Sequence, residues 1–246
     1  MKTLLPLFAA LCAFVAPSAL TAQADLDAIL TDASRPQEER EADSGRHPAE
    51  VIRFFGIERG DRVADLLAGA GYWTRILVPL VGPNGRVYAG NNPFFAEYFK
   101  EPFDALLARP AFANVVRIDG PVDRIALPAD GSLDAVIMVN AYHDLYLTEE
   151  DRGELNRRVL AALKPGGVYG IVDHDAAPGD GATKVMSLHR IEKQTVVDEV
   201  AAAGFTLARE ATFLRNPADD HSMAIFAPSI SGKTDRFVLR FEKPQR

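Results

Sequence analysis

The segment RVADLLAGAGYWTRIL, residues 62–77, constrains the fold of this chain more than any other part of its sequence. A short apolar run leads into Ala68, Gly69, Ala70 and Gly71, and a helix-like pattern follows the last glycine. Glycines let the backbone turn sharply and let a ligand approach it, while the start of a helix offers free N–H groups. The segment therefore predicts a strand, a tight turn that can hold a ligand, and a helix.

The alternation of strand and helix continues along the rest of the chain. Strands are predicted over seven segments, 62–67, 86–89, 114–118, 135–140, 168–172, 206–213 and 236–241. Helices are predicted over 72–81, 94–108, 148–163 and 189–203. Short apolar strands joined by helices are typical of a parallel sheet with helices on both faces. No helix separates the last two strands, so we expect them to pair antiparallel within a Rossmann-like α/β fold.

Three familiar uses of such turns fit the sequence poorly. A dinucleotide-binding turn has the spacing G-x-G-x-x-G, and Thr74 stands where its third glycine belongs. The segment Gly232-Lys233-Thr234 lacks the first glycine of a phosphate-binding loop and precedes a strand, so we interpret it as a turn. The chain has no G-x-S-x-G, so a serine hydrolase of that type is not supported.

Composition narrows the class of partners. The 246 residues are 48% hydrophobic, which is enough for one full core, and we expect a single domain over residues 25–246. Residues 25–47 form a polar lead-in that is helical or irregular. The net charge is −7 and no basic cluster stands out, so we expect neither nucleic acid nor an anionic membrane surface as a partner. Nothing in the sequence predicts the oligomeric state.

The N-terminus has the pattern of a secretory signal peptide. Lys2 precedes a mostly apolar stretch over residues 4–15, and Ala22-Gln23-Ala24 fits the small-x-small rule for cleavage after residue 24. An uncleaved membrane anchor would need about 20 apolar residues, more than this stretch offers. We therefore expect a periplasmic or secreted protein. Cys12 is the only cysteine, so the mature chain would carry no thiol, which suits an oxidising compartment.

Four segments in this order resemble the class I S-adenosylmethionine-dependent methyltransferases: DLLAGAGYWT, GRVYAGN, LPADGSLDAVIMVNAYHDLY and LKPGGVYGIVDH. The resemblance covers residues 48–242. Three later segments, HRIEKQTVVDEVAAAGF, LRNPADDHS and GKTDRFVLRF, are similar to a group of exported bacterial methyltransferases. The resemblance implies a seven-stranded sheet with an antiparallel last strand, S-adenosylmethionine as the cofactor and a small-molecule acceptor.

The same resemblance implies roles for individual residues. Asp65 matches the acid that fixes the glycine turn or the methionine amine, and the turn at 68–71 matches the segment along the carboxypropyl end and the ribose. Asp119 matches the acid that meets the adenine amino group. Asn140 and His143 match the end of the fourth strand, where the methyl group is presented.

Two positions depart from the family pattern. Leu67 stands where the family has its first glycine. Asn91 stands near the end of the second strand, where the family has an acid that binds both ribose hydroxyls. An amide can bond a hydroxyl, but it lacks the charge-assisted strength of a carboxylate. The sequence therefore keeps open an exported, non-catalytic protein that binds a small ligand with the same fold.

Histidines at strand ends are the candidate catalytic residues. His143 and His174 follow the fourth and fifth predicted strands, and an imidazole can act as a general base near neutral pH. Tyr72 and Tyr142 also follow strands and are candidates for the wall of an apolar substrate pocket.

A metal-dependent enzyme is a further alternative. No local H-x-x-x-H or H-E-x-x-H spacing supports it, so no metal site is expected. The side chains that could supply nitrogen and oxygen ligands are His143, Asp144, His174, Asp175, Asp219 and His221.

Overall fold

Seven strands form one mixed sheet in the computed structural model, which describes residues 19–245. In chain order they are β1 Arg62–Leu66, β2 Arg86–Gly90, β3 Val115–Arg117, β4 Leu133–Val139, β5 Leu163–His174, β6 Thr206–Ala211 and β7 Arg236–Glu242. Their order in the sheet is β3-β2-β1-β4-β5-β7-β6. The first five pair parallel, and β7 runs antiparallel to both β5 and β6. The predicted seven-stranded fold with an antiparallel last strand is confirmed.

The α-helices in the described part of the chain cover both faces of this sheet. They are α1 Ala19–Thr31, α2 Gln37–Arg46, α3 Pro48–Phe55, α4 Tyr72–Val81, α5 Pro93–Leu107, α6 Arg152–Ala162, α7 Val185–Leu188 and α8 Lys193–Ala202. Buried side chains of α1, α3 and α4 form one apolar layer with the sheet, and those of α6 and α8 form the other. This two-layer burial explains why the central strands β1 and β4 are mostly buried along their length.

Helix α3 shows how the local sequence fixes the packing. Pro48 occupies its first turn, where a missing N–H costs nothing, and Gly56 ends it in the left-handed conformation with φ of 70°. The buried face of the helix carries Phe55, whose ring lies against β5 at Gly170. A Cβ atom at Gly170 would stand 2.6 Å from that ring, so the close approach of helix to strand requires glycine there.

One predicted helix has different bounds in the structure, and the lead-in is partly helical. The helix predicted over 189–203 starts only at Lys193, because His189 adopts the left-handed conformation that ends the preceding α7. The lead-in contains α2, held by an ion pair of 2.7 Å between Arg35 and Asp43. The predicted signal segment lies outside the described residues except for positions 19–24, which belong to α1. Within the described range, no helix has both the length and the hydropathy to cross a membrane.

Candidate active site

The glycine turn joins β1 to α4 at the carboxyl edge of the sheet. Leu67, Gly69 and Gly71 all have positive φ, at 54°, 59° and 90°. A Cβ atom at Gly71 would lie 2.2 Å from Leu106, so this glycine permits α5 to pack closely against the turn. A Cβ atom at Gly69 would be in ordinary van der Waals contact with the ring of Phe99, at 3.9 Å, and Gly69 itself is half-buried.

The side chain of Asn91 holds the turn by bonding both backbone groups of Gly69. Its Oδ1 accepts the N–H of Gly69 at 2.8 Å, and its Nδ2 donates to the Gly69 carbonyl at 3.0 Å. The side chain is buried, at 3% exposure. The position predicted to meet the ribose is therefore already used within the protein, and only the second lone pair of Oδ1 and the second N–H of Nδ2 are left for a ribose hydroxyl.

Asp119 follows β3 and connects to the same loop. Its Oδ1 accepts the backbone N–H of Asn91 at 2.9 Å, and its Oδ2 accepts the Nε of Arg117. Arg117 also pairs with Asp104 on α5. The acid predicted to meet the adenine thus lies beside the glycine turn. One of its oxygens holds the loop after β2 through Asn91, and the other bonds Arg117.

Asp65 lies under the turn and not at its mouth. Its carboxylate is 2% exposed and accepts the hydroxyl of Thr74, on α4, at 2.6 Å. Burial raises the pKa of Asp65 to about 7, and the bonds from Thr74 oppose that rise. This geometry ties β1 to α4, so it supports the predicted role in fixing the turn and gives no contact toward a ligand. Ala68 donates its backbone N–H to the Gly90 carbonyl, and the Ala70 carbonyl accepts the side-chain Nη1 of Arg75.

Asn140 follows β4 and has an unpaired side-chain oxygen. Its φ is 55°, a left-handed value that asparagine adopts more readily than most residues. Its Oδ1 is buried without a hydrogen-bond partner among residues 19–245. Because Asn140 also lines a cavity at this edge, the unpaired oxygen indicates a residue available to a ligand.

His143 is clamped between two carboxylates. Its Nδ1 lies 2.7 Å from Asp173, which also accepts its backbone N–H, and its Nε2 lies 3.2 Å from Asp144. Burial disfavours the charged imidazolium, but Asp173 and Asp144 outweigh it and raise the pKa of His143 to about 10. A histidine protonated at neutral pH has no lone pair to accept a proton, so the expected role as a general base does not suit this geometry.

The pKa of His174 is shifted in the opposite direction from that of His143. Burial, then the charges of His143 and Arg236, lower its pKa well below the usual value, so the ring is neutral at pH 7. Its Nδ1 lies 2.7 Å from the hydroxyl of Thr234. His174 lines the cavity together with Asn140, so the structure brings together two of the predicted site residues.

The cavity has a volume of about 830 Å³ and lies beyond the carboxyl ends of β4 and β5. The charged side chains in its wall are mostly cations, although the whole chain has a net charge of −7. The charged or ionisable side chains along it are Glu41, Arg46, His47, His174, Arg215, Lys233 and Arg236. The sequence did not predict that Arg46 and His47 contribute to this wall, because the lead-in helix α2 and the distant strand β7 meet only in the folded chain.

The predicted aromatic wall is not formed by the expected residues. Tyr142 is fully buried and donates to Glu199 at 2.9 Å, so it belongs to the core. Tyr72 is 7% exposed and donates to Asp43 at 2.5 Å, so it fixes the lead-in. Phe226, at 67% exposure, lines the cavity instead.

Of the potential metal ligands, the structure separates most. Asp175 and Asp219 pair with Arg215 and Arg190, and His221 bonds Asp235. His143 and Asp144 stay together, and His189, which the sequence analysis did not include, joins them within ligand distance. The local spacing gave no signal for this group, because the left-handed turn at His189 brings it close only in the folded chain.

This sheet order and this edge site define the fold of the S-adenosylmethionine-dependent methyltransferases. One solved example, from Aquifex aeolicus, aligns with a TM-score of 0.55 and 21% identity over 79% of this chain and 88% of its own. Another is a phosphoethanolamine N-methyltransferase of Haemonchus contortus in complex with S-adenosyl-L-methionine. It aligns with a TM-score of 0.58 and 14% identity over 81% of this chain and 53% of its own.

Curated relatives at the sequence level include the ubiquinone/menaquinone biosynthesis C-methyltransferase UbiE of Pseudomonas paraeruginosa. It is 32% identical over 117 residues, which cover 48% of this chain and 43% of the relative. The corresponding protein of Pseudomonas savastanoi is 30% identical over the same shares. The chain thus spans less than half the length of these relatives. No protein-family model matches it.

Proposed function

We propose that this chain is an exported S-adenosylmethionine-dependent methyltransferase that methylates a small anionic acceptor. The observation that carries the proposal is the cavity at the carboxyl edge of a methyltransferase-type sheet, with the unpaired Oδ1 of Asn140 in its wall. The methyl-transfer activity named for the UbiE relatives supports it.

The residues at the turn fit the cofactor. S-adenosylmethionine supplies an electrophilic methyl group on a sulfonium. Gly69 has no side chain and is half-buried, so a ligand can approach its backbone closely, and Asn140 Oδ1 is free to accept a hydrogen bond from an amine. Asp119 is exposed beside the turn and can accept a bond from the adenine amino group. Asn91 acts as a positioning residue, because it holds Gly69 in place.

The charge of the cavity indicates the class of acceptor. Arg236 is 6% exposed, its Nη2 donates to the Gly45 carbonyl, and its Nε has no partner among the described residues. Burial, then the neighbouring Arg46, lower the pKa of Arg236 to about 10, so it is still a cation at neutral pH. Arg46 lies over the ring of Tyr72 at 4.1 Å. A carboxylate or phosphate on the acceptor would relieve this crowding of positive charge.

The two histidines then have different tasks. His143, held as a cation by Asp173 and Asp144, fixes the loop after β4. His174 is neutral, and in the tautomer in which Nδ1 donates to Thr234, its Nε2 carries a lone pair. That nitrogen can accept a proton from the hydroxyl, amine or activated carbon of the acceptor as the methyl group is transferred.

The first test is calorimetric titration of the purified chain with S-adenosylmethionine and with S-adenosylhomocysteine. Micromolar binding supports the proposal, and the Asn140→Ala variant should weaken it by about tenfold, through loss of one hydrogen bond. Absence of binding at millimolar cofactor would contradict the methyltransferase assignment and favour a protein that binds another ligand in the same cavity.

The acceptor class is tested by turnover. Small carboxylates and phosphates are compared with their neutral analogues, and formation of S-adenosylhomocysteine is measured. Arg236→Met and the milder Lys233→Gln should raise KM for an anionic acceptor by about tenfold, the equivalent of one charge-assisted bond. Arg53→Met, at an exposed position outside the cavity wall, is the matched control. Equal turnover of neutral and anionic acceptors would contradict the assigned class.

Export is tested by fractionation and by the mass of the mature N-terminus. We expect the protein outside the cytoplasm and a chain that begins at Asp25. Cleavage there would leave Leu26, which is 3% exposed in the core layer of α3 and α4. A full-length chain in the cytoplasm would contradict the proposed location.

A further inference from the structure

Three side chains with metal-ligand chemistry converge beside the cavity. They are His143 and Asp144, at the start of the 3₁₀ segment His143–Leu147, and His189, at the end of α7. One ligand atom from each lies within 4.8 Å of the other two. Asp144 Oδ1 is 3.2 Å from His143 Nε2 and 3.5 Å from His189 Nδ1.

These distances suit a bound ion. Ligand atoms that share one transition-metal ion, at bonds of about 2.1 Å, lie roughly 3.0 to 3.4 Å apart. Both distances to Asp144 are close to that range. The two nitrogens, at no more than 4.8 Å, need only a small inward rotation of the His189 ring, which is part-exposed and follows a four-residue helix.

A carboxylate holds His143 in the orientation that a ligand requires. Asp173 is fully buried. One of its oxygens lies 2.7 Å from Nδ1 of His143, and the other accepts the backbone N–H of His143. Metal-binding histidines commonly bond their second nitrogen to a carboxylate in this way, which fixes the ring and leaves the other nitrogen for the metal. Here that other nitrogen, Nε2, points to Asp144.

His189 is held by the backbone and by a neighbouring ring. Its φ of 52° is a left-handed value, and its ring meets Phe226 edge-on at 4.9 Å between centroids. It stands nearly perpendicular to the ring of His143, at 86°. A non-glycine residue kept in such a conformation is frequent at functional sites.

We propose that His143, Asp144 and His189 bind a divalent transition-metal ion such as Zn²⁺ beside the cavity, next to its lining residues His174 and Phe226. Two imidazoles and one carboxylate favour zinc, iron, cobalt or nickel over magnesium or calcium, which prefer oxygen ligands. Three protein ligands leave at least one position open for water or for an oxygen of a small molecule.

The test is calorimetric titration of the full chain, freed of metal by a chelator, with Zn²⁺ and separately with Mg²⁺, without any methyl donor. We expect about one Zn²⁺ per chain with micromolar or tighter affinity, and no comparable Mg²⁺ binding. Because no methyl donor is present, this result is independent of the proposed methyl transfer.

Two histidines with the same backbone conformation give a matched pair of variants. His189→Asn should weaken Zn²⁺ binding at least tenfold, whereas His47→Asn should not change it. Both positions have left-handed φ, 52° and 48°, which asparagine tolerates. Asp144→Asn is the second variant if His189→Asn fails to fold. Zinc binding that is absent, or that is equal in His189→Asn and the unmodified chain, would overturn the proposal.

Discussion

The side-chain amide of Asn91 bonds both backbone groups of Gly69, the donor at 2.8 Å and the acceptor at 3.0 Å. These residues lie 22 positions apart, one after β2 and the other after β1. Asn91 is buried and Gly69 half-buried, and the pair joins the ends of two neighbouring strands. The shape of the glycine turn therefore depends on a side chain outside it.

The first prediction concerns the stability that this pair confers. Asn91→Ala removes both bonds and leaves the groups of Gly69 without their partner, so we expect the free energy of unfolding to fall by about 1–3 kcal/mol. Urea denaturation measures the change. Asn84→Ala, at an exposed position in the turn before β2, should change it by no more than about 0.5 kcal/mol. Equal effects of the two substitutions would show that the pair contributes nothing.

The fold was predictable because its signals are local. The alternation of apolar strands with helices, and glycines such as Gly69 after the first strand, predict a parallel sheet with a site at its carboxyl edge. The partners within the site were not predictable. Arg46 and Arg236 reach one cavity from opposite ends of the sequence, and His189 joins His143 only through a left-handed turn.

The carboxylate of Asp65 also shows what the sequence could not predict. The sequence shows that Asp65 ends an apolar strand, but not which way its carboxylate points. In the folded chain it bonds Thr74 beneath the turn. Direction and desolvation depend on packing, which a one-dimensional pattern does not contain.

The second prediction concerns Leu67, which has a φ of 54° at the position of the first family glycine. Its side chain is 5% exposed, so Leu67→Ala should lower the free energy of unfolding by about 2–5 kcal/mol. Leu67→Gly loses the same side chain but relieves the backbone strain of roughly 1 kcal/mol. We therefore expect the glycine variant to be the more stable of the two by about 1 kcal/mol.

Urea denaturation of the two Leu67 variants measures this difference. The expected order of stability, glycine above alanine, is the reverse of that at a position with ordinary backbone angles, where the alanine variant is the more stable. Ala64→Gly, in β1, which pairs with β2 and β4 without a register shift, provides that ordinary comparison and should be less stable than the unmodified chain. An alanine variant at Leu67 that is more stable than the glycine variant would contradict a left-handed backbone there.

The third prediction is a pH dependence of stability from Asp65. Its pKa is about 7 in the folded chain against 3.8 for an exposed carboxyl, because burial disfavours the charged form. Between these values the folded state holds a proton that the unfolded state has lost. Stability therefore falls as the pH rises from about 4 to 7, by the order of 4 kcal/mol for a shift of about three units.

Asp65→Asn removes this ionisation and keeps an oxygen for the Thr74 hydroxyl. We expect the variant to gain stability relative to the unmodified chain as the pH rises, which urea denaturation at about pH 4.5, 6 and 8 measures. Asp130→Asn is the control with the opposite sign, because the hydrogen bond from Ser132 lowers the pKa of Asp130. Its variant should lose stability relative to the unmodified chain as the pH rises through the acid range. A difference between Asp65→Asn and the unmodified chain that stays constant with pH would mean that Asp65 ionises as an exposed carboxyl does.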